Sequence, residues 1–261
     1  MDINTFNYFK SWFSRYVESF YCEDEFINEN ITLKLNHTIR VVENSKIISQ
    51  FLKLTKEQSL TAEVTALFHD IGRFEQFKTY KTFNDKISED HASLGISILN
   101  NYGILNTLDN KEKNIILFAV YHHNKFSIPK INNINKEMIC KITRDADKLD
   151  ILKIVTDYYA TRFTNSNPAI EHNLVESNNY SSKIVEDIFK CQNSKLEYIE
   201  TSNDCRLMKL TWIFDIYFPK TLLLIKERNF IQKTMEALPK TDEMDSIQKH
   251  LLNYIDKKTI S

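Results

Sequence analysis

The fold is indicated most directly by residues 64–73, which read VTALFHDIGR. The apolar members of this stretch recur at steps of three and four: Val64, Leu67, Phe68 and Ile71. This spacing places them on one face of a helix, and Gly72 is well placed to close that helix in the left-handed conformation. The dipeptide His69-Asp70 then falls in the final turn, where polar side chains on a largely apolar helix need partners.

The same periodicity extends through most of the chain. Only 3 glycines and 4 prolines interrupt 261 residues, which favours helices joined by short loops over a sheet. We therefore predict an all-α fold that forms a single helical domain over residues 1–261. Within it we expect a core at about 30–160, which contains five of the seven histidines, followed by a C-terminal helical extension at about 161–261.

Several helices can be placed individually. An aromatic stripe predicts a first helix that packs into the core: Phe6, Phe9, Trp12, Phe13, Tyr16 and Phe20. Ser88 is expected to cap a helix that ends at Gly103, after a loop over 79–87, and Asp109 with Glu112 resembles a capping box. The remaining helices are expected at about 30–54, 135–163, 170–191, 206–237 and 243–257.

The charge balance and the cysteines indicate the environment of the protein. Lys and Arg number 34 against 35 Asp and Glu, which gives no net-charge argument for binding nucleic acid or a membrane. The four cysteines form no CxxC pair, so we expect reduced, mostly buried thiols: Cys22, Cys140, Cys191 and Cys205. Charged residues among the N-terminal aromatics break any signal-peptide core. We expect a soluble cytoplasmic protein, and no motif indicates its oligomeric state.

Seven residues with imidazole or carboxylate side chains fall in one order along the predicted helices: His37, His69, Asp70, His91, His122, His123 and Asp147. Imidazole and carboxylate groups without a thiolate cluster suit Fe, Mn, Zn, Co or Mg chemistry at oxygen. A lone histidine on an apolar helix face is usually a hydrogen-bonded core residue, but the joint order favours ligation. The sequence therefore predicts a catalytic metal site.

This order, H…HD…H…H…D, resembles the HD-domain superfamily of metal-dependent phosphohydrolases, and within it the members with two metals. The resemblance spans roughly residues 30 to 160. Four separated pieces carry it, namely FHDIGR at 68–73, HASLG at 91–95, YHHN at 121–124 and RDADKLD at 144–150. The resemblance implies an HD-domain helical bundle with additional C-terminal helices.

The resemblance also implies a ligand set for two divalent ions, which would be Fe, Mn, Mg, Co or Zn. The basic set would be His37, His69, Asp70 and Asp147. His91 and one member of the His122-His123 doublet would complete the second site, and Asp70 would bridge the ions. Helical phase does not separate the two members of the doublet. We favour His123, because its place before Asn124 resembles relatives with a single His-Asn there.

Three cations are candidates for binding an anionic substrate. Arg73 stands where many relatives have lysine, and a guanidinium offers a bidentate fork to a phosphate beside the metals. Together with Asp70 it is our candidate catalytic residue. Lys148 and Lys81 are further substrate-binding candidates, although a lysine beside a helix carboxylate, or in a loop, is more often a solvated charge.

Other residues separate the chain from particular relatives or lie outside the pattern. No Gly-Tyr-Pro element follows the histidine doublet, so the cyclic-di-GMP activity of relatives that have one does not carry over. Leu33 stands where three-metal relatives have glutamate, and we therefore expect two metals at most. Asp145 and Asp150 are expected to cap, to pair with lysines or to face water. His172 and His250 are expected at the surface.

Three functions are compatible with this set. The first is hydrolysis of a phosphate ester or anhydride in a nucleotide or small phosphorylated metabolite, by a hydroxide that bridges the two metals. The second is that of an HD-type mixed-valent di-iron oxygenase, because some members with the same ligand order activate O₂. The third is a non-catalytic metal-containing module that binds a nucleotide or a partner. No segment of the sequence identifies the substrate.

Overall fold

The computed structural model describes residues 1–161 and 174–260, and throughout them the chain is all-α, as predicted. Its one extended pairing in these ranges is an isolated bridge between Val175 and Thr201. None of the helices described is both long enough and apolar enough to span a bilayer. The chain divides into two compact units, residues 1–150 and 151–261.

The first unit is built from seven helices, and the seventh continues into the second unit. Their bounds are α1 Ile3–Glu18, α2 Glu25–Phe51, α3 Lys56–Phe68, α4 Gly72–Tyr80, α5 His91–Asn101, α6 Asn110–His122 and α7 Ile134–Thr161. Side-chain oxygens cap several N-termini, so that Asp24 accepts from the Ile27 amide and Asp109 from the Glu112 amide. The sequence placed no helix at 72–80, and there the structure adds α4.

Helix α1 confirms the predicted aromatic stripe. Phe6, Phe9, Phe13, Tyr16 and Phe20 are buried, and Trp12 is partly buried against them. Phe9 and Trp12 both meet the edge of Phe68, at ring-centroid distances of 5.7 and 6.0 Å. Aromatic contacts of this geometry add to the burial of apolar area. They hold the last turn of α3, directly before His69-Asp70.

One predicted helix cap is wrong, and a second is only partly right. The capping residue of α5 is Asp90, which accepts from the Ser93 amide, whereas Ser88 accepts a hydrogen bond from Gln76. Asp109 caps α6, but the Glu112 carboxylate does not complete a capping box there. It accepts instead from the terminal ammonium of Met1 and from Thr61.

Gly72 does not close α3 in a left-handed conformation, which is the third difference. The backbone stays right-handed from His69 to Ile71, and α4 begins at Gly72 itself. The glycine is required for space, since a Cβ there would lie 2.2 Å from the His91 carbonyl oxygen and 2.8 Å from the Gly95 nitrogen. The start of α4 therefore packs backbone to backbone against α5.

The second unit contains five helices within residues 174–260. They are α8 Ser182–Phe189, α9 Ser202–Thr211, α10 Pro219–Glu227, α11 Phe230–Glu236 and α12 Asp242–Thr259. The single helix predicted at 206–237 is wrong, because Pro219 starts a new helix and Asn229 takes a left-handed conformation between α10 and α11. Of the helix predicted at 170–191, the part before 174, with His172, lies outside the described residues.

Two of the four cysteines are buried, whereas most of them were expected to be. Cys140 and Cys205 are buried, whereas Cys22 and Cys191 are exposed. Burial raises the pKa of the Cys140 thiol to about 12, so this side chain behaves as an apolar core residue at neutral pH.

The close approach at Gly72 can be tested by Gly72→Ala. We expect a loss of about 1–3 kcal/mol in the free energy of unfolding, as for an overpacked core, because the nearest atoms are backbone. Gly95→Ala is the matched control, since its Cβ would first meet the Ile71 side chain, at 3.1 Å, which can move. Urea denaturation measures both variants, and equal stabilities would contradict the backbone contact.

Candidate metal centre

Six of the predicted ligands come together inside the first unit. His37 lies in the middle of α2, His69 and Asp70 link α3 to α4, and His91 is the first residue of α5. The other two are His123, directly after α6, and Asp147 in α7. The four histidines and Asp70 are buried, and the Asp147 side chain is 15% exposed. Overlapping groups of three have ligand atoms within 4.8 Å of one another.

Each of the four histidine rings has an acceptor at Nδ1, at 2.7 Å in every case. The acceptors are Asp150 Oδ2 for His37, the Ala66 carbonyl for His69, Asp85 Oδ2 for His91 and the Val120 carbonyl for His123. A carbonyl or carboxylate oxygen accepts only, so the proton of each neutral ring lies on Nδ1. In the neutral form of each ring, Nε2 is then left with a lone pair, as metal ligation requires.

The Nε2 atoms converge in two pairs. Those of His37 and His69 are 3.3 Å apart, and those of His91 and His123 are 3.0 Å apart. Two lone pairs this close repel each other unless a cation or a proton lies between them. Asp147 Oδ1 is buried, lies 3.2 Å from His37 Nε2, and among the described residues accepts no hydrogen bond while the facing imidazole nitrogens carry no proton. This donor set fits a divalent cation.

Asp70 lies between the two pairs. Its Oδ2 atom is 3.5 Å from His37 Nε2 and 3.6 Å from His69 Nε2. Its Oδ1 atom is 3.2 Å from His91 Nε2 and 3.5 Å from His123 Nε2. We call His37, His69, Asp147 and Asp70 Oδ2 the first half-site, and His91, His123 and Asp70 Oδ1 the second half-site. One carboxylate thus faces both.

Comparison with known protein families supports the resemblance to HD domains. A family model described as the HD domain matches residues 35–153, which contain all six of these residues. Residues 35–153 are an HD domain. The superfamily recognised from the sequence pieces is therefore confirmed, and most HD domains are metal-dependent hydrolases. The match covers a little under half of the chain, and searches of curated proteins and of solved structures found no match.

The HD domain keeps its carboxylates ionised although they are buried. Burial would raise the pKa of Asp70, but the charge of Lys34 and contacts with the surrounding imidazoles hold it well below its usual value. Burial also opposes ionisation of Asp147, and hydrogen bonding with His37 and His69 outweighs it, so that its pKa is lowered too. Two negative charges therefore face the imidazole nitrogens at neutral pH.

Among the four histidines that face Asp70, two have shifted pKa values, and the shifts are of opposite sign. Burial lowers the pKa of His123 to about 4, so this ring is neutral at pH 7. Burial and the charge of Lys34 would lower the pKa of His37 as well. Hydrogen bonding with Asp147, Asp150 and Asp70 outweighs both and raises this pKa to about 10. A cation at His37 Nε2 would therefore displace a proton.

The two members of the histidine doublet are separated by the structure. His123 contributes to the second half-site, whereas His122 is half-buried at the end of α6, with its ring against Phe118 and Tyr121. It belongs to none of the groups that could hold a metal among the described residues. Helical phase could not separate the two residues, because α6 ends at His122 and the ring of His123 turns back to the Val120 carbonyl.

The three candidate substrate-binding cations lie in different surroundings. Arg73 is beside the cluster, with Nε 3.6 Å from Asp70 Oδ1, and its Nη1 donates to three acceptors: Gln76 Oε1, the Phe83 carbonyl and Asp85 Oδ1. Lys148 is buried in α7. Lys81 is exposed at the end of α4, where it pairs with Asp24 at 3.1 Å.

Sequence reasoning missed Lys34, Arg40 and Asp85, and it misjudged the surroundings of Asp150. Lys34 donates to Asp70 Oδ2 at 2.6 Å, and Asp85 accepts from His91. Asp150 does not face water or pair with a lysine, since it is buried and accepts from Arg40 Nε at 2.6 Å and from His37. Asp145 is fully buried as well. The three-residue step from Asp147 to Asp150, along one face of α7, was the available signal.

The doublet supplies a matched pair of variants for the metal site. His123→Ala should lower the affinity for the second cation by more than about tenfold, because even outer-shell partners of a ligand contribute that much. His122→Ala should leave the metal content unchanged. Elemental analysis of both proteins after equilibration with limiting Mn²⁺ measures the difference, and loss of metal from the His122 variant alone would reverse the assignment.

Proposed function

We propose that the HD domain binds two divalent cations and hydrolyses a phosphoester or phosphoanhydride bond of a nucleotide or another small phosphorylated metabolite. One observation carries the proposal, namely the position of Asp70 between two pairs of histidine Nε2 atoms, with one carboxylate oxygen toward each pair. A pair of cations at this spacing would stabilise charge on phosphoryl oxygens and lower the pKa of water.

The donor set supports cations that catalyse at oxygen. The first half-site offers two imidazoles and two carboxylates, and the second offers two imidazoles and the shared Asp70. The second half-site therefore has fewer protein ligands, which leaves room for substrate or water there. Cysteine contributes to neither group, so the set suits Fe, Mn, Co, Zn or Mg.

Two cationic side chains flank Asp70 and are proposed to bind the phosphoryl group. The Lys34 ammonium is 2.6 Å from Oδ2, and the Arg73 Nε is 3.6 Å from Oδ1. Both side chains are mostly buried but retain 16% and 14% exposure, and both lie against the Phe83 ring, at 5.2 and 5.9 Å. Lys34 would exchange Asp70 for a phosphoryl oxygen when substrate binds.

The roles of the two cations differ. Arg73 keeps its Nη1 on the loop that carries Phe83 and Asp85, so only the rest of the guanidinium is available to a substrate. Lys34 has a flexible stem and a single carboxylate partner among the described residues, Asp70. We propose Lys34 as the principal phosphate-binding group and Arg73 as its rigid neighbour.

The activity can be tested with purified protein loaded with Mn²⁺ or Fe²⁺. We expect hydrolysis of one or more among nucleotides, dinucleoside polyphosphates, cyclic dinucleotides and an aryl phosphodiester. Asp70→Ala should reduce it by more than about 100-fold, the upper range for loss of an outer-shell partner of a metal, while His122→Ala retains it. Inactivity with every metal, or substrate-dependent O₂ uptake by the iron form in place of hydrolysis, would overturn the proposal.

Lys34 gives a separate prediction about substrate affinity. Lys34→Gln should raise KM by roughly 10–100-fold, since a hydrogen bond to a charged group contributes about 1.5–3 kcal/mol, and should leave two cations bound. Lys113→Gln is the control, because the Lys113 ammonium makes an exposed hydrogen bond to Asn106 and Lys113 is not among the substrate-binding candidates. Steady-state kinetics and metal analysis on the same samples separate the two effects. An unchanged KM would exclude Lys34 as the phosphate-binding group.

A further inference from the structure

The loop between α4 and α5, residues 81–90, carries one carboxylate into the second half-site. Asp85 Oδ2 accepts from His91 Nδ1 at 2.7 Å. Its other oxygen, Oδ1, accepts from Arg73 Nη1 at 2.7 Å and from Gln76 Nε2 at 2.9 Å. The side chain is half-buried, and a fourth donor, Asn124 Nδ2, lies 3.5 Å from Oδ2.

Arg73 and Gln76 of α4, which both donate to Asp85, also fix the rest of the loop. Gln76 Nε2 also donates to Ser88 Oγ and to the Glu89 carbonyl, both at 2.8 Å. Arg73 Nη1 donates to the Phe83 carbonyl at 2.6 Å. Gln76 is fully buried, so these hydrogen bonds are shielded from water. Asp85 is thus held at a defined place in a segment that forms no helix.

His91 needs such a partner because of its place in the chain. His69 and His123 each follow a helix and donate from Nδ1 to the carbonyl three residues earlier, which the ending helix leaves free. His91 is the first residue of α5, so no helical turn precedes it. The acceptor has to come from outside the helix, and the Asp85 side chain supplies it.

We propose that Asp85 is the positioning residue of the second half-site. It holds the His91 ring with the proton on Nδ1 and with Nε2 toward Asp70 Oδ1 and His123 Nε2, 3.2 and 3.0 Å away. Its negative charge also makes the imidazole a stronger ligand. Arg73 acts on His91 through Asp85, and separately its Nε lies 3.6 Å from the shared ligand Asp70. The inference rests on the proposed function only in taking the second half-site as a cation site.

The test compares two carboxylates of the same loop. Asp85→Asn keeps the size of the side chain but removes the charge and one acceptor. Asp90→Asn is the matched control, because Asp90 caps α5 and pairs with Lys125 without contacting the His91 ring, and asparagine caps a helix equally well. Both proteins are titrated with Mn²⁺, and electron paramagnetic resonance reports whether two ions are coupled.

In Asp85→Asn the second Mn²⁺ should bind about 10–100-fold more weakly, the range for loss of an outer-shell partner, while the first is retained and the coupled signal disappears. His91→Ala should give the same one-ion protein, and Asp90→Asn should bind both ions as the wild type does. Full occupancy in Asp85→Asn would overturn the proposal. So would an equal loss at both half-sites together with lower thermal stability in chelator, which indicates loop unfolding.

These outcomes are independent of the reaction. If the wild type binds two Mn²⁺ ions and hydrolyses none of the phosphate compounds, the proposed function fails, while the titration still decides the role of Asp85. If the wild type hydrolyses substrate and Asp85→Asn keeps both ions, the proposed function stands and the positioning role fails.

Discussion

The shared carboxylate of Asp70 is the constraint on which the rest of the site depends. It has to remain ionised inside the first unit, facing four imidazoles, and Lys34 and the rings around it hold its pKa low against burial. Residues that look unrelated serve this arrangement. The aromatic stripe of α1 fixes the turn before His69, and Gly72 lets α4 approach the start of α5, so that His91 reaches the far oxygen.

Much of this could be predicted from the sequence. The helical class and the stripe of α1 follow from residue type and spacing, which a chain preserves whatever its tertiary contacts. The proposed ligand set, with its doublet unresolved, follows from the resemblance to HD domains. The helix ends were less certain. Asp90 competes with Ser88 as a cap, and the backbone at Gly72 is decided by a neighbour 19 positions later.

The remainder depends on contacts between segments far apart in sequence. Lys34 meets Asp70, and Asp150 meets His37 across 113 positions, and no local pattern encodes either contact. The doublet shows the same limit. His122 and His123 differ only in that one ring turns back beneath the end of α6, which periodicity does not specify. Asp85 stood in a stretch recognised as a loop, where hydrogen-bond partners are hardest to infer.

The different acceptors at Nδ1 divide the four ligands by their sensitivity to mutation. His69 and His123 are oriented by main-chain carbonyls, which every side-chain substitution at Ala66 or Val120 leaves in place. His37 and His91 are oriented by aspartates, which a single base change can alter. Each half-site contains one histidine oriented by a main-chain carbonyl and one oriented by an aspartate. In the proposed metal centre, Asp150 and Asp85 would therefore each tune the affinity of one half-site, while the main-chain acceptors of His69 and His123 stay fixed.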